Sequence, residues 1–114
     1  MPTANLTMNV REVVEGVRVI DVEGEITSFS DQQIAEAHEE AGDGASAVIL
    51  NFEGLEYMNS GGIGLLVTTL IRAQRAGHAL RAYGLTDHYR QIFTLTRLDE
   101  AISIYEDEAS AVAG

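Results

Sequence analysis

One short segment gathers the residue types that carry chemistry. Tyr57-Met58-Asn59-Ser60-Gly61-Gly62-Ile63-Gly64 sets a carboxamide and a hydroxyl ahead of three glycines. A serine there can attack as a nucleophile, cap a helix or accept a phosphoryl group. The nucleophile elbow Gly-x-Ser-x-Gly is not met, because Met58 stands two residues before Ser60. Gly61, Gly62 and Gly64 look like a phosphate cradle, but all 7 basic residues are arginine, so a P-loop lysine is missing. A dinucleotide fingerprint fails on spacing. His38, His78 and His88 follow no zinc pattern, and a chain without cysteine has neither a thiolate metal site nor a Cys nucleophile. His38 falls on the apolar side of its helix as a partly buried edge residue. No metal or cofactor is expected, and an enzyme is the least supported class.

Two uses of Ser60 remain. As N-cap of the helix that follows, its hydroxyl would accept a bond from a first-turn backbone N–H, worth about 1 kcal/mol. As an acceptor of phosphate, it would sit at a helix N-terminus whose partial positive charge and unpaired N–H groups tolerate an anion. Gly61 and Gly62 are poor helix formers, so tight packing or a partner's close approach has to justify them.

The elements that position this loop follow from hydrophobic spacing. Leu6 to Val10 alternates apolar and polar, Gly16 supplies a turn, and Val17 to Val22 reads as a second strand, which together make a hairpin. Asp31 to Ala41 has helical spacing, with Ser28 and Ser30 as candidate caps, Gly42 closing it, and Ile34, Ala37, His38 and Ala41 on one face. Ala47 to Phe52 is a continuous apolar run suited to a strand covered on both faces. The long helix runs from Ser60 to Arg75. Ile63, Leu66, Val67, Leu70 and Gln74 mark its inward side, Leu65, Thr68, Thr69 and Arg72 its outward side, and Gly77 its end. Ala79 to Tyr83 is a further strand. Thr86 caps a helix that turns Tyr89, Ile92 and Phe93 inward, Ala101 to Tyr105 is the last strand, and Asp107 to Val112 a closing helix. This order predicts an α/β fold: a mixed sheet, an initial hairpin and then parallel βα units, packed by about four helices.

Composition sets the class. The chain has 114 residues, 46% of them hydrophobic, and residues 1–114 are expected to form a single domain. Its longest apolar runs are too short to span a bilayer, and the first ten residues lack the basic start and apolar core of a secretory signal, so a cytoplasmic protein without membrane insertion is expected. With 18 acidic against 7 basic residues the formal charge is −11, which repels phosphate backbones and anionic lipids. Nucleic acid is therefore a poor ligand, and a partner with a basic face a good one.

The loop resembles a known pattern. Apolar-Asp-Ser-Ser/Thr-Gly-Leu-Gly after a buried strand is the hallmark of STAS domains, above all of bacterial anti-sigma-factor antagonists, and this chain reads Met58-Asn59-Ser60-Gly61-Gly62-Ile63-Gly64. Val22-Glu23-Gly24-Glu25-Ile26 is similar to the family's Gly-x-Ile/Leu segment, and Ile92 to Leu98 followed by Ala101 to Glu106 resembles its third helix, turn and last strand. The likeness covers essentially the whole chain. It implies a STAS-like fold and a partner-switching role. Such antagonists bind an anti-sigma factor that is also a serine kinase. The kinase phosphorylates the serine at the head of the long helix and so breaks the complex, and a phosphatase resets it. Carried over, the phosphoacceptor is Ser60, and the partner-binding positions are Thr27, Asn59, Ser60, Gly61, Gly62 and Leu65. Leu65 leaves the protomer a monomer or a weak homodimer.

This sequence departs from the family at three of these places. Asn59 stands where Asp is usual, Gly61 replaces a second hydroxyl residue, and Thr27 stands where many antagonists have Asp. The alternative within the fold is a small cytoplasmic STAS subunit of an ABC transporter, with Ser60 unmodified. A nucleotide-binding sensor is a third option, disfavoured by the lack of nearby basic residues.

Overall fold

The expected hairpin forms, and everything else is built on its second strand. The computed structural model describes residues 5–114. β1 (Leu6–Val14) and β2 (Val17–Ile26) pair antiparallel, and Gly16 turns the chain between them at φ 78°, a conformation that costs glycine little. A 3-10 turn (Ser28–Ser30) leads into α1 (Asp31–Gly42), β3 (Ala47–Met58), α2 (Ser60–Ala76), β4 (Ala79–Tyr83) and α3 (Asp87–Leu95). A second 3-10 turn (Leu98–Glu100), β5 (Ser103–Tyr105) and α4 (Glu108–Ala113) complete the chain. The sheet order is β1-β2-β3-β4-β5, with every pair after the hairpin parallel, so the fold is the mixed α/β sheet with four helices that the spacing predicts.

The apolar patterns explain the layers. Ala47, Val48, Ile49 and Leu50 are all buried, as a central strand covered on both faces requires. On one face α1, α2 and α3 close a large core around Ile20, Val22, Ile26, Phe52, Leu66 and Phe93. On the other, the short α4 covers a smaller cluster of Val17, Val19, Ala47, Ile49, Tyr83 and Ala111. Polar contacts fasten that thin cover. Arg11 pairs with Asp21 at 2.7 Å and also with Glu108, while the Tyr83 hydroxyl donates to Glu108 at 2.9 Å. The hydrogen bonds from Arg11 hold both carboxyl groups below their usual range.

Several boundaries and faces differ from expectation. β3 continues six residues past Phe52, because its second half keeps pairing with β2 from Glu23↔Gly54 to Ile26↔Met58 after β4 has stopped at Tyr83. β2 and β3 thus run on as a two-stranded extension that delivers Met58 to the start of α2. Along α2 the buried line is Gly62, Leu66, Thr69 and Ala73, so Thr69 lies inside while Val67 and Gln74 lie outside. Thr69 can be buried because its hydroxyl donates to the Leu65 carbonyl at 2.8 Å. Gly42 is the last residue of α1 and Asp43 its cap. The last strand starts at Ser103, two residues later than expected.

Candidate functional site

The carboxyl ends of β2 and β3 lie side by side and place the loop. Ile26 pairs with Met58, and the Asn59 N–H donates to the Ile26 carbonyl at 3.3 Å. From the other side α3 braces the same strand end, where the Met58 N–H donates to the buried Tyr89 hydroxyl at 2.9 Å. The chain then enters α2, and here the cap differs from expectation. Asn59, not Ser60, is the N-cap: its carboxamide oxygen accepts the Gly62 N–H at 2.9 Å, and its carbonyl accepts the Ile63 N–H at 3.0 Å. Ser60 is the first helical residue. Asn and Ser cap about equally well, so geometry chooses between neighbours, and the extended backbone at Asn59 (φ −96°, ψ −178°) fits the capping position.

This choice frees the serine. Ser60 is exposed, and its hydroxyl is not occupied in capping. The amides of Ser60 and Gly61 have no acceptor within the helix, since the first turn of any helix leaves such donors over. They sit at the positive end of a 17-residue helix. An anion attached to Ser60 Oγ would meet donors and a favourable dipole.

The glycines shape the surroundings in two ways. A Cβ on Gly62 would come 2.5 Å from the Ile26 carbonyl oxygen, and one on Gly61 2.8 Å from Ser28 Cβ. Both glycines let the end of β2 and the 3-10 turn lie flush on the first turn of α2. Gly64 differs: nothing stands within 4 Å of its would-be Cβ, and it is exposed on the same side of the helix as Ser60.

The proposed partner-binding positions therefore divide. Thr27, Asn59, Ser60 and Gly61 come together on one edge. The half-buried Thr27 is occupied in a cap, its hydroxyl accepting the Phe29 N–H at 3.2 Å while its own N–H donates to the Ser30 hydroxyl at 3.0 Å. Gly62 is buried and supports the edge from beneath. Leu65 is half-buried and packs against the main core, so it is not the exposed contact the sequence suggested. Exposed apolar side chains lie nearby instead, among them Val67, which was expected to face inward. Phe29 is 70% exposed beside Gly61's neighbour Ser28, Tyr57 is 48% exposed just before the cap, and Val67 and Ile71 continue the outer line of α2.

No group of three or more metal-ligating side chains occurs among the described residues, and no helix among them is long and apolar enough to cross a membrane. Comparison with curated protein sequences gives no significant match. The model of the STAS domain matches residues 9–111. Among solved structures, an anti-sigma factor antagonist from Mycobacterium paratuberculosis is similar at 25% identity and a TM-score of 0.75, over 96% of this chain and 92% of that one. The Bacillus cell fate determinant SpoIIAA in its phosphorylated form has 21% identity and a TM-score of 0.71, over 94% and 97%. A sulfate transporter family protein from Wolinella succinogenes has 15% identity and a TM-score of 0.77, over 90% and 87%, so the fold alone does not separate regulators from transporter domains. With the family model spanning nearly its whole length and the sheet order in agreement, the chain belongs to the STAS domain family.

Proposed function

We propose that this chain is an anti-sigma factor antagonist: a non-enzymatic, cytoplasmic partner switch that docks through the Ser60 edge onto an anti-sigma factor with serine kinase activity. Phosphorylation of Ser60 breaks the complex and a phosphatase restores it. One observation carries this reading. Ser60 is an exposed hydroxyl at the head of α2, released from capping by Asn59, with the 3-10 turn that carries exposed Phe29 packed against its neighbour Gly61.

The energetics fit a switch that acts on binding and leaves the fold alone. Phosphorylation adds roughly −1.5 to −2 charge and three acceptor oxygens. At the free end of α2 that charge gains about 0.3–1 kcal/mol from the helix dipole. Asn59 is neutral, so the phosphate meets no carboxylate beside it. A partner packed over the same edge would have to desolvate the phosphate, and a hundredfold loss of affinity requires only about 2.7 kcal/mol.

Incubation with the cognate kinase and ATP, followed by mass spectrometry, tests the acceptor. Modification is expected on Ser60 and absent in Ser60→Ala; stoichiometric modification elsewhere removes Ser60 from the role. Ser60→Glu is expected to weaken the complex about a hundredfold or more while moving the melting temperature little. A large loss of stability would make Ser60 structural. If the native partners are a permease and an ATPase, and Ser60 stays unmodified, the ABC-transporter subunit reading takes its place.

A further inference from the structure

The Ser60 edge makes no use of a buried pair at the opposite end of α2. His38, on α1, and His78, in the turn from α2 into β4, meet with their Nε2 atoms 2.9 Å apart and their ring centroids 4.9 Å apart. Both are nearly sealed, at 5% and 6% exposure, and His78 Nδ1 is buried without a hydrogen-bond partner. Gly42 at the end of α1 makes the room, since a Cβ there would stand 2.7 Å from His78 Cε1. No third metal-ligating group joins the two rings among the described residues, so their chemistry is that of protons.

At 2.9 Å one Nε2 donates and the other accepts, which two neutral imidazoles manage with a single proton between them. One protonated ring still donates to a neutral one. Two protonated rings present two donors, no acceptor and two facing positive charges, and the contact has to open. The charged groups around the pair are Glu36, Glu39 and Glu40 on α1, Asp43 just past it, and Arg72 on α2. The four carboxylates lie at the exposed rim, where water screens them. The interior effects oppose a charge: burial pushes both rings below the ordinary imidazole range, and His38 is lowered further by His78 and Arg72.

We infer that the His38–His78 contact is an acid-sensitive clasp, holding the C-terminal half of α1 against the turn between α2 and β4 and releasing it when both rings take up protons. Below the ordinary imidazole range the open chain binds more protons than the closed one. The clasp's contribution is therefore full above about pH 6.5 and is lost as the pH falls through its own lower titration. α1 is continuous at its other end with the 3-10 turn of Ser28–Ser30, which packs on Gly61 of the Ser60 edge. The inference does not depend on which partner that edge binds.

The test uses the untagged full chain, with imidazole NMR resonances and amide exchange protection factors followed from pH 8 to 5. An unstructured histidine-containing peptide in the same buffer, titrating near the ordinary imidazole value of about 6.5, supplies the reference. Expected is that His38 and His78 stay neutral through the range in which the reference imidazole titrates, then titrate at lower pH, with protection across residues 34–42 falling in the same interval and that of β3 holding. In His38→Gln, where one titrating ring remains and the side-chain amide can still bond to His78, the acid-dependent loss of protection is expected to disappear. His38 and His78 titrating alongside the reference peptide would overturn the clasp. So would an α1 whose protection changes with pH no more in the wild type than in His38→Gln. Should that variant fail to fold, the wild-type titration decides alone.

Discussion

The two ends of α2 are built to opposite plans. At its C-terminus, Gly77 takes the left-handed conformation (φ 83°), its N–H bonds to the carbonyls of Ala73 and Gln74 at 2.9 and 3.3 Å, Arg75 complements the dipole, and His78 is locked onto His38. Its N-terminus has no charged residue in the first turn, and glycine occupies positions 61, 62 and 64. One end is anchored by side chains and the other has had them removed. The difference separates two parts of one helix: the buried line through Leu66, Thr69 and Ala73 and the C-terminal anchor hold it in place, while the N-terminal turn presents bare backbone, which under the proposed function admits a partner.

The comparison breaks first at Gly62. Its Cα faces the Ile26 carbonyl and the Met58 side chain, at 2.5 and 2.8 Å from a would-be Cβ, and a backbone carbonyl has nowhere to go. Gly62→Ala is expected to lower stability by about 1–3 kcal/mol, seen as a lower urea midpoint at unchanged slope. A neutral outcome would mean that the bare turn is not braced from below. Next comes the cap. Asn59→Ala removes the bond to the Gly62 N–H and is expected to cost about 1 kcal/mol, whereas Asn59→Asp keeps the cap and should leave the midpoint close to wild type. Were Asn59→Ala silent and Ser60→Ala destabilising, the capping roles of the two residues would have to be exchanged.

How much of this could be read in advance depended on whether the signal was local. The element types were legible because period-2 and period-3.6 patterns are local, and β4 at Ala79–Tyr83 has the predicted bounds. The second half of β3 was not, since Glu53-Gly54 breaks the apolar run and only pairing with β2 extends the strand. At the site, the position of the loop at the head of the long helix was legible. The cap was not, because Asn59 and Ser60 are equivalent by type and the phase of the helix decides. Thr69 falls on the side away from the apolar stripe, yet the true phase of the helix turns it inward, where a hydroxyl satisfied by its own helix can be buried. Phe29, next to a candidate cap and outside any periodic run, carried no local signal of its 70% exposure. His38 and His78 lie 40 positions apart, and Arg11 and Glu108 97, separations at which one sequence carries no pairing signal.

Gly64 gives the smallest effect and the sharpest discrimination between the two ends. It lies inside a helix, where glycine costs about 1 kcal/mol relative to alanine. That cost usually answers to a close neighbour, as at Gly61 and Gly62, but around Gly64 there is open space to 4 Å. Nothing within this chain explains the missing side chain, and Gly64 shares its exposed side with Ser60 and Val67. Gly64→Ala should therefore stabilise the isolated protein by roughly 0.5–1 kcal/mol, a rise of a few degrees in melting temperature. The same change is expected to weaken partner binding, and Gly64→Gln to weaken it further, with the fold intact in both. A variant that gains stability and loses affinity would show that the bare turn serves a visitor. A Gly64→Ala protein that binds as tightly as the wild type would move the contact surface off this face of α2, towards Phe29 and Tyr57.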